Sequence, residues 1–580
     1  MNMHGRMETV TLSRGNFVSC EPHAFQCNLK AWPFRIEKRN QKKGGENGEK
    51  STGGYPDTDS GHRMRGICGG PVRGGTLVVA KGIKQSTLDP TKANAQDSDY
   101  DLYAQIYEPL ISMDASGNLI PCLAESWDVQ DETTIVFKLK QGVVFHDGTP
   151  FNAEAVKFVM DWYKSEECSP WFASQIVELE SVEVIDDYTV KMTLSEPSAV
   201  FLTSMSNYTS LMISPEAIKT YGDELSLNAV GTGAFKLKEA VEGDHYTLVR
   251  NEDYWGLGED GLPLPYLDEV VIKIIDDETV KATNLISGDV QLTDYLKTAV
   301  NIQMLQANSS VSVSRLPTAD VYCLFPNVNY DMLQDVRVRQ AIAYSFARDG
   351  FIAEYLGSFG IAVYSYYGIG QWMTLAAMTQ GLGSRSIWPV GVNQWFYSDY
   401  TPYSYDPEKA KSLLAEAGYP DGFDITLQCI SREPDNTIMQ IVQQQLAAVG
   451  INVKLESMER LAWVDLYTKQ LGGQLGLAKM TYPRVDAYVQ LNTNMGGTSS
   501  NNYSQYKGEE FNKLLDQIKM EYDMEARKEL LKQAQKVYLD DCATIFLYEL
   551  PRYVAYSNRL QNYGTYSLGH WKLATMWLAE

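Results

Sequence analysis

Gly142-Val143-Val144-Phe145-His146-Asp147-Gly148-Thr149-Pro150-Phe151-Asn152 is the stretch where two structural periods meet. Ahead of it, Ile135, Phe137 and Leu139 alternate with polar neighbours as in a half-buried strand, and Gln141-Gly142 supplies a turn into 143–145. This spacing predicts a hairpin. Behind it, Val156, Val159, Met160 and Tyr163 recur at helical spacing, Asn152 is placed to cap them, and Gly148-Thr149-Pro150 breaks the chain just before. The order is strand, turn, strand, tight loop, helix.

Outward from this unit, the chain up to about 316 reads as short strands and hairpins with few helices. Residues 182–194 predict a hairpin turning near Asp186-Asp187, and 246–250 and 270–275 continue the strand pattern. From about 317 the pattern changes. Asp406 caps a helix with Pro407 at its first position and Ala410, Leu413, Leu414 and Ala417 on one face, stopped by Gly418. A strand at 423–430, a helix at 438–449 ending at Gly450, and the alternation of Ile451, Val453 and Leu455 follow. Such a strand-helix-strand unit implies parallel strands with the helix on one face of the sheet. Phe511, Leu514, Leu515 and Ile518 mark another helix, and 524–539 a further one.

A chain of 580 residues exceeds what one core can serve, so two or more lobes are expected. Residues 1–73 hold twelve Lys and Arg against seven Asp and Glu, a balance of +5 that leaves −28 for the rest of a chain totalling −23. That acidity argues against nucleic-acid binding, which needs clustered cations to displace phosphate counterions. The reversed charge and missing apolar period set residues 1–72 apart as a tail, read as disordered. No apolar run is long enough for a membrane span, and the tail lacks a secretory-signal pattern. Of eight cysteines, five are scattered through the body without Cys-x-x-Cys spacing, which predicts neither a disulfide framework nor a zinc site, and Cys429 reads as a buried small hydrophobe.

Catalytic readings are weak. His146-Asp147 lies in a glycine-flanked turn where polar residues are expected, His245 and His570 are far away in sequence, and Asp276-Asp277-Glu278 and Asp540-Asp541 read as solvated turns rather than a glycosidase pair. Gly231-Thr232-Gly233 lacks the rest of a nucleotide-binding fingerprint. Neither a cofactor nor a metal is expected. The excess lies in aromatics, with 36 Tyr and 11 Trp; Tyr364, Tyr366 and Tyr367, followed by Gln371-Trp372, form an irregular candidate binding loop.

Several motifs run in a familiar order: Gly74-Gly75-Thr76-Leu77, Leu88-Asp89-Pro90, Tyr107-Glu108-Pro109-Leu110, Leu123-Ala124-Glu125-Ser126-Trp127, the opening stretch, Gly231-Thr232-Gly233-Ala234-Phe235, Asn251-Glu252-Asp253-Tyr254-Trp255, 335–341 and 413–419. From about Gly74 onward the chain resembles the family 5 extracytoplasmic solute-binding proteins, the bacterial oligopeptide-, dipeptide- and nickel-binding receptors of ABC importers. The resemblance implies an α/β, two-lobed periplasmic-binding-protein-like fold (type II, cluster C) with a subdomain inserted in the first lobe. Domain I would span 73–316 with the subdomain at about 113–206, domain II 317–545 on a mainly parallel sheet, and 546–580 would return to domain I. Crossings near Leu316 and Phe546 would form a hinge that closes on a ligand.

In peptide-binding relatives an aspartate in a Trp-x-x-Asp-like stretch of the second lobe pairs with the ligand's α-ammonium. Here that aspartate's place falls at or beside Pro483, the tryptophan is absent, Asp486 matches a later acidic position, and Arg484 puts a cation suited to an anionic group near the expected pocket. The candidate ligand-binding residues are Asp99, Tyr103, Trp171, Thr232, Tyr364, Tyr366, Tyr367, Arg484, Asp486, Tyr488 and Tyr548. The expected function is delivery of a peptide or peptide-sized organic solute to ABC permease subunits, without chemistry, by a monomer that touches membrane only through the transporter or a lipid anchor. Receptors of sugars or metal chelates, and a hydrolase with an aromatic cleft, are the alternatives. The expected location is extracytoplasmic, in the periplasm or as a cell-surface lipoprotein. Cys68-Gly69-Gly70 has the look of a lipoprotein cysteine, although Arg65-Gly66-Ile67 departs from the residues such a site needs. Either the start or reading frame is wrong, or the protein stays in the cytoplasm; the first is expected, because the body reads as an ordinary member of the family.

Overall fold

The computed structural model describes residues 70–579 except 86, 93–96, 115–116, 170–175, 208–209, 347–383, 386–399, 433–434, 482–485 and 567–568. One 11-stranded sheet organises them. At one end Ile451–Met458, Phe423–Ile430 and Leu475–Thr481 are parallel; at the other Leu292–Thr293, Thr76–Lys81 and Glu269–Ile274 are parallel, with His245–Arg250 and Phe235–Val241 added antiparallel. Two long antiparallel strands, Val311–Pro326 and Ile545–Ser557, join the ends, so the sheet passes unbroken from one lobe to the other. Their pairing slips between Arg315 and Ala319 and again between Tyr322 and Cys323.

The two-residue period of Val311–Pro326 decides which helices pack on which face. Val321, Cys323 and Phe325 enter one core with Trp463, Leu514, Ile518 and Leu531, while Tyr322 and Leu324 enter another with Ile342, Leu414, Ile438 and Val442. In the first lobe a large core gathers Val79, Ile106, Phe137, Val159 and Ile272, and a smaller one on the opposite face holds Ala80, Leu285, Leu296 and Ile302. Burying a side chain such as Leu324 contributes about 1.5–3 kcal/mol, and these cores hold many of that size.

The strand-helix-strand unit appears as read. Phe423–Ile430 and Ile451–Met458 are parallel in full register, with helix Asp435–Ala447 between them. Helix Pro407–Glu416 is capped by Asp406, and the 182–194 hairpin is Leu179–Asp186 against Thr189–Leu194. The hairpin of the opening stretch is corrected. Thr134–Leu139 pairs with Ala124–Asp131 and Thr189–Leu194 in a four-stranded antiparallel sheet. Residues 143–151 fold on themselves instead, through the Val144–Pro150 bridge and the bonds of Phe145 N to Thr149 O and Phe151 N to Val143 O. Asn152 caps helix Ala153–Tyr163 as expected, accepting from Ala155 N at 3.0 Å.

Candidate ligand cleft

The carboxyl ends of the parallel strands in both lobes point at the crossing. In the first lobe the chain beyond Leu292–Thr293 reaches Leu296, which bridges Tyr553; in the second, Thr481 ends Leu475–Thr481 opposite Asp320. Ligands of open α/β sheets sit in the crevice outside such ends, so the space above the crossing strands is the candidate cleft. Two aromatic contacts involve the crossing strands. Tyr322 and Tyr548 stack at 5.0 Å on the second-lobe side, and the Arg552 guanidinium lies 4.7 Å from the Tyr295 ring on the first-lobe side.

At the second lobe's strand ends, Arg432 lies two residues beyond Phe423–Ile430, after Ser431. Its Nε donates to Asp435 Oδ2 at 2.9 Å, and the Tyr322 hydroxyl donates to Asp435 Oδ1 at 3.2 Å. Asp435 is fully buried, whereas the Arg432 side chain stays 40% exposed. One edge of the guanidinium is thus fixed by a buried carboxylate, and the Nη edge is left for another anion.

On the first lobe's side, cations at the strand ends are already paired. Lys81 meets Asp101 at 3.3 Å, and Asp101 also meets His570 at 3.0 Å. Lys281 meets Asp294 at 2.6 Å, and the other Asp294 oxygen accepts from Gly82 N at 2.7 Å. These buried clusters tie the C-terminal segment and helix Glu278–Ser287 to the strand ends.

Behind this wall three of the motifs converge on one carboxylate. Glu108 Oε2 accepts from Thr232 Oγ1 at 2.9 Å and Trp255 Nε1 at 2.8 Å, and Oε1 accepts from the Tyr254 hydroxyl at 2.8 Å. Burial pushes the Glu108 carboxyl up to about 7, against the pull of these donors. The glycines of Gly231-Thr232-Gly233 are needed because the loop lies against the end of helix Asp97–Ile106; a Cβ at Gly231 would stand 2.2 Å from Ile106 O, and one at Gly233 2.5 Å from Gln105 O. His146, from the opening stretch, grips the same loop. Gly231 N–H donates to its Nδ1 at 3.4 Å, so Nε2 carries the proton donated to Gly233 O at 2.9 Å.

The sequence candidates divide accordingly. Thr232 is buried in the Glu108 cluster, and Tyr103 is a core residue whose hydroxyl donates to Thr87 O at 2.8 Å. Tyr548 is completely buried in the second-lobe core, stacked on Tyr322. Tyr488 is half-buried against the second-lobe core. Asp486 is committed elsewhere than to a solute: it caps helix Ala487–Met495 and holds Arg527 at 2.7 and 3.0 Å. Trp171, Tyr364, Tyr366, Tyr367 and Arg484 lie outside the described residues, as does the Asp99 side chain. Arg432 and Asp435 were not singled out from sequence; the available signal was an arginine two residues after a buried-strand alternation and shortly before a helix.

The architecture is that of a two-lobed solute-binding protein. The model of the bacterial extracellular solute-binding proteins, family 5 middle region, matches residues 118–502, and the chain belongs to that family. It is 31% identical over 385 residues to the glutathione-binding protein GsiB of Pectobacterium atrosepticum, covering 66% of this chain and 69% of that one. Against GsiB of Escherichia coli O157:H7 it is 30% identical over 388 residues, with the same coverage. Among solved structures, DppA of Helicobacter pylori in complex with the peptide STSA matches with a TM-score of 0.66 at 25% identity, over 88% of this chain and 99% of that one. HbpA2 of Haemophilus parasuis matches with a TM-score of 0.76 at 22% identity, over 87% and 100%, a likeness of fold. The protein is therefore a family 5 substrate-binding component of the kind that serves ABC importers, and the relatives named are binding proteins.

Proposed function

We propose that the solute is a peptide or peptide-sized organic molecule carrying a carboxylate, held between the lobes and handed to the permease subunits of an ABC importer without chemical change. The observation that carries this reading is Arg432, whose guanidinium is fixed by buried Asp435 at the strand ends that face the cleft and leaves one edge open. The names of the relatives agree in kind: glutathione is a peptide with two carboxylates, and DppA was seen with a peptide. Closure about the crossing strands would bring the first-lobe wall onto the solute. On this reading the protein works as a monomer outside the cytoplasm, and Arg484 adds a second cation by the sequence argument alone. Asp99, Trp171, Tyr364, Tyr366 and Tyr367 keep their proposed contacts on the same footing.

The test is mass spectrometry of whatever co-purifies with the protein, followed by calorimetry with that solute and with reduced glutathione as a probe. The expected solute is a carboxylate-bearing peptide or analogue, recovered unchanged. Arg432→Gln should weaken it by about thirtyfold or more, about 2 kcal/mol, and the wild type should contract in solution scattering at saturation. Recovery of a neutral sugar or a metal chelate, or turnover of the solute, would sink the proposal.

A further inference from the structure

The lobes touch at a second place besides the crossing strands. Helix Ala199–Ser204, whose Phe201 and Leu202 lie in the first-lobe core, meets helix Glu509–Met520 and the start of Met524–Asp540, whose Leu514, Ile518 and Leu531 lie in a second-lobe core. There the Thr203 hydroxyl donates to Asp486 Oδ2 at 2.5 Å. Lys519 reaches Glu196 at 2.6 Å and Glu178 at 3.7 Å, and the Tyr522 hydroxyl donates to Glu132 O at 3.2 Å.

The chemistry of this contact is that of a joint that can part. Within the second lobe, Asp486 is satisfied without Thr203: it accepts both guanidinium nitrogens of Arg527 and the backbone N–H groups of Tyr488 and Val489. Arg527 Nε donates to Ile518 O, so its own lobe fixes its orientation. Thr203 has an alternative acceptor in its own helix, Val200 O at 2.9 Å. Separation therefore strands no buried donor or charge of this cluster, and Lys519, Glu196 and Glu178 would simply rehydrate. A contact that served stability alone would gain nothing from being separable in this way.

We propose that Thr203 and Lys519 are positioning residues for solute binding: their bonds to Asp486, Glu196 and Glu178 set how far the two walls of the cleft stand apart before any solute arrives. This holds whatever the solute is, since no solute contact enters the argument.

The experiment is solution scattering on the full chain without solute. Thr203→Val with Lys519→Gln should enlarge the radius of gyration relative to wild type at a melting temperature within a few degrees of it. Thr203→Ser, which keeps the hydroxyl, should match wild type. Raising salt should enlarge the wild type more than Lys519→Gln, because only the former has the ion pair to screen. If Thr203→Val does not fold, Lys519→Gln alone carries the comparison, its side chain being partly exposed. A radius unchanged from wild type in the folded variants, or an equal salt response, would overturn the proposal.

Discussion

The indole Nε1 of Trp255 donates to Glu108 Oε2 at 2.8 Å, joining two sequence motifs 147 positions apart on one buried carboxylate. Among the described residues no cation bonds that carboxylate; the Lys140 ammonium lies instead over the Trp255 ring, 4.5 Å from its centroid. Donors and a low-dielectric setting pull the carboxyl in opposite directions, and burial wins, raising it from 4.5 to about 7.

The first prediction is a pH dependence with a definite sign. A carboxyl whose folded value is raised keeps a proton that the unfolded chain has released, so its contribution is full below 4.5 and is lost as pH rises through about 7. Glu108→Gln holds the site neutral at every pH. The difference in melting temperature between wild type and variant should change across this window and level off outside it. Parallel curves would show that Glu108 does not titrate there.

His146 predicts the opposite slope. Burial holds its imidazole down to about 4 from an ordinary 6.5, so its contribution is present above 6.5 and lost as pH falls through about 4. Between 4.5 and 6.5 the two groups offset each other in the wild type. In Glu108→Gln the histidine slope is uncovered, and the melting temperature should fall on acidification below 6.5. Adding His146→Gln should flatten that fall, and a slope that survives both changes belongs to other groups.

Backbone crowding predicts a contrast between two glycines. An alanine at Gly231 would put its Cβ 2.2 Å from Ile106 O and 2.6 Å from Tyr107 Cδ1, and this backbone is packed between a helix end and His146. Gly231→Ala should cost about 1–3 kcal/mol or more. Gly148→Ala meets nothing within 4 Å, and its φ of +83 costs only about 1 kcal/mol. Denaturant midpoints decide; equal losses would mean that the Gly231 loop can move away.

What could be read without a structure was what local periodicity encodes. The strands at 423–430 and 451–458, the helix between them, and the caps at Asn152 and Asp406 are short-range patterns, and all appear. The 143–145 hairpin failed because three residues are too few to carry a period, and the tight loop satisfied Phe145 and Phe151 internally. The site was less legible, because its bonds are long-range: Tyr322 to Asp435 spans 113 positions and Thr203 to Asp486 spans 283. Motif position brought Asp486 into the candidate set, but the partner that occupies it, Arg527, lies 41 residues on in a helix with no distinguishing pattern.

That pair supports the last prediction. Arg527 and Asp486 are buried together; Arg527 Nε also donates to Ile518 O, and Asp486 also accepts from backbone N–H groups and Thr203. Removing one partner leaves a buried charge without its counter-charge, so Asp486→Leu or Arg527→Met alone should cost about 3–5 kcal/mol. The double variant strands no charge, and a well-packed apolar pair of similar volume is often neutral in such sites, so it should be more stable than either single variant. Losses that add in the double variant would mean that the two side chains act independently. The measurement is a four-member cycle of chemical denaturation midpoints, with equal slopes required so that the midpoints report stability rather than a changed unfolded state.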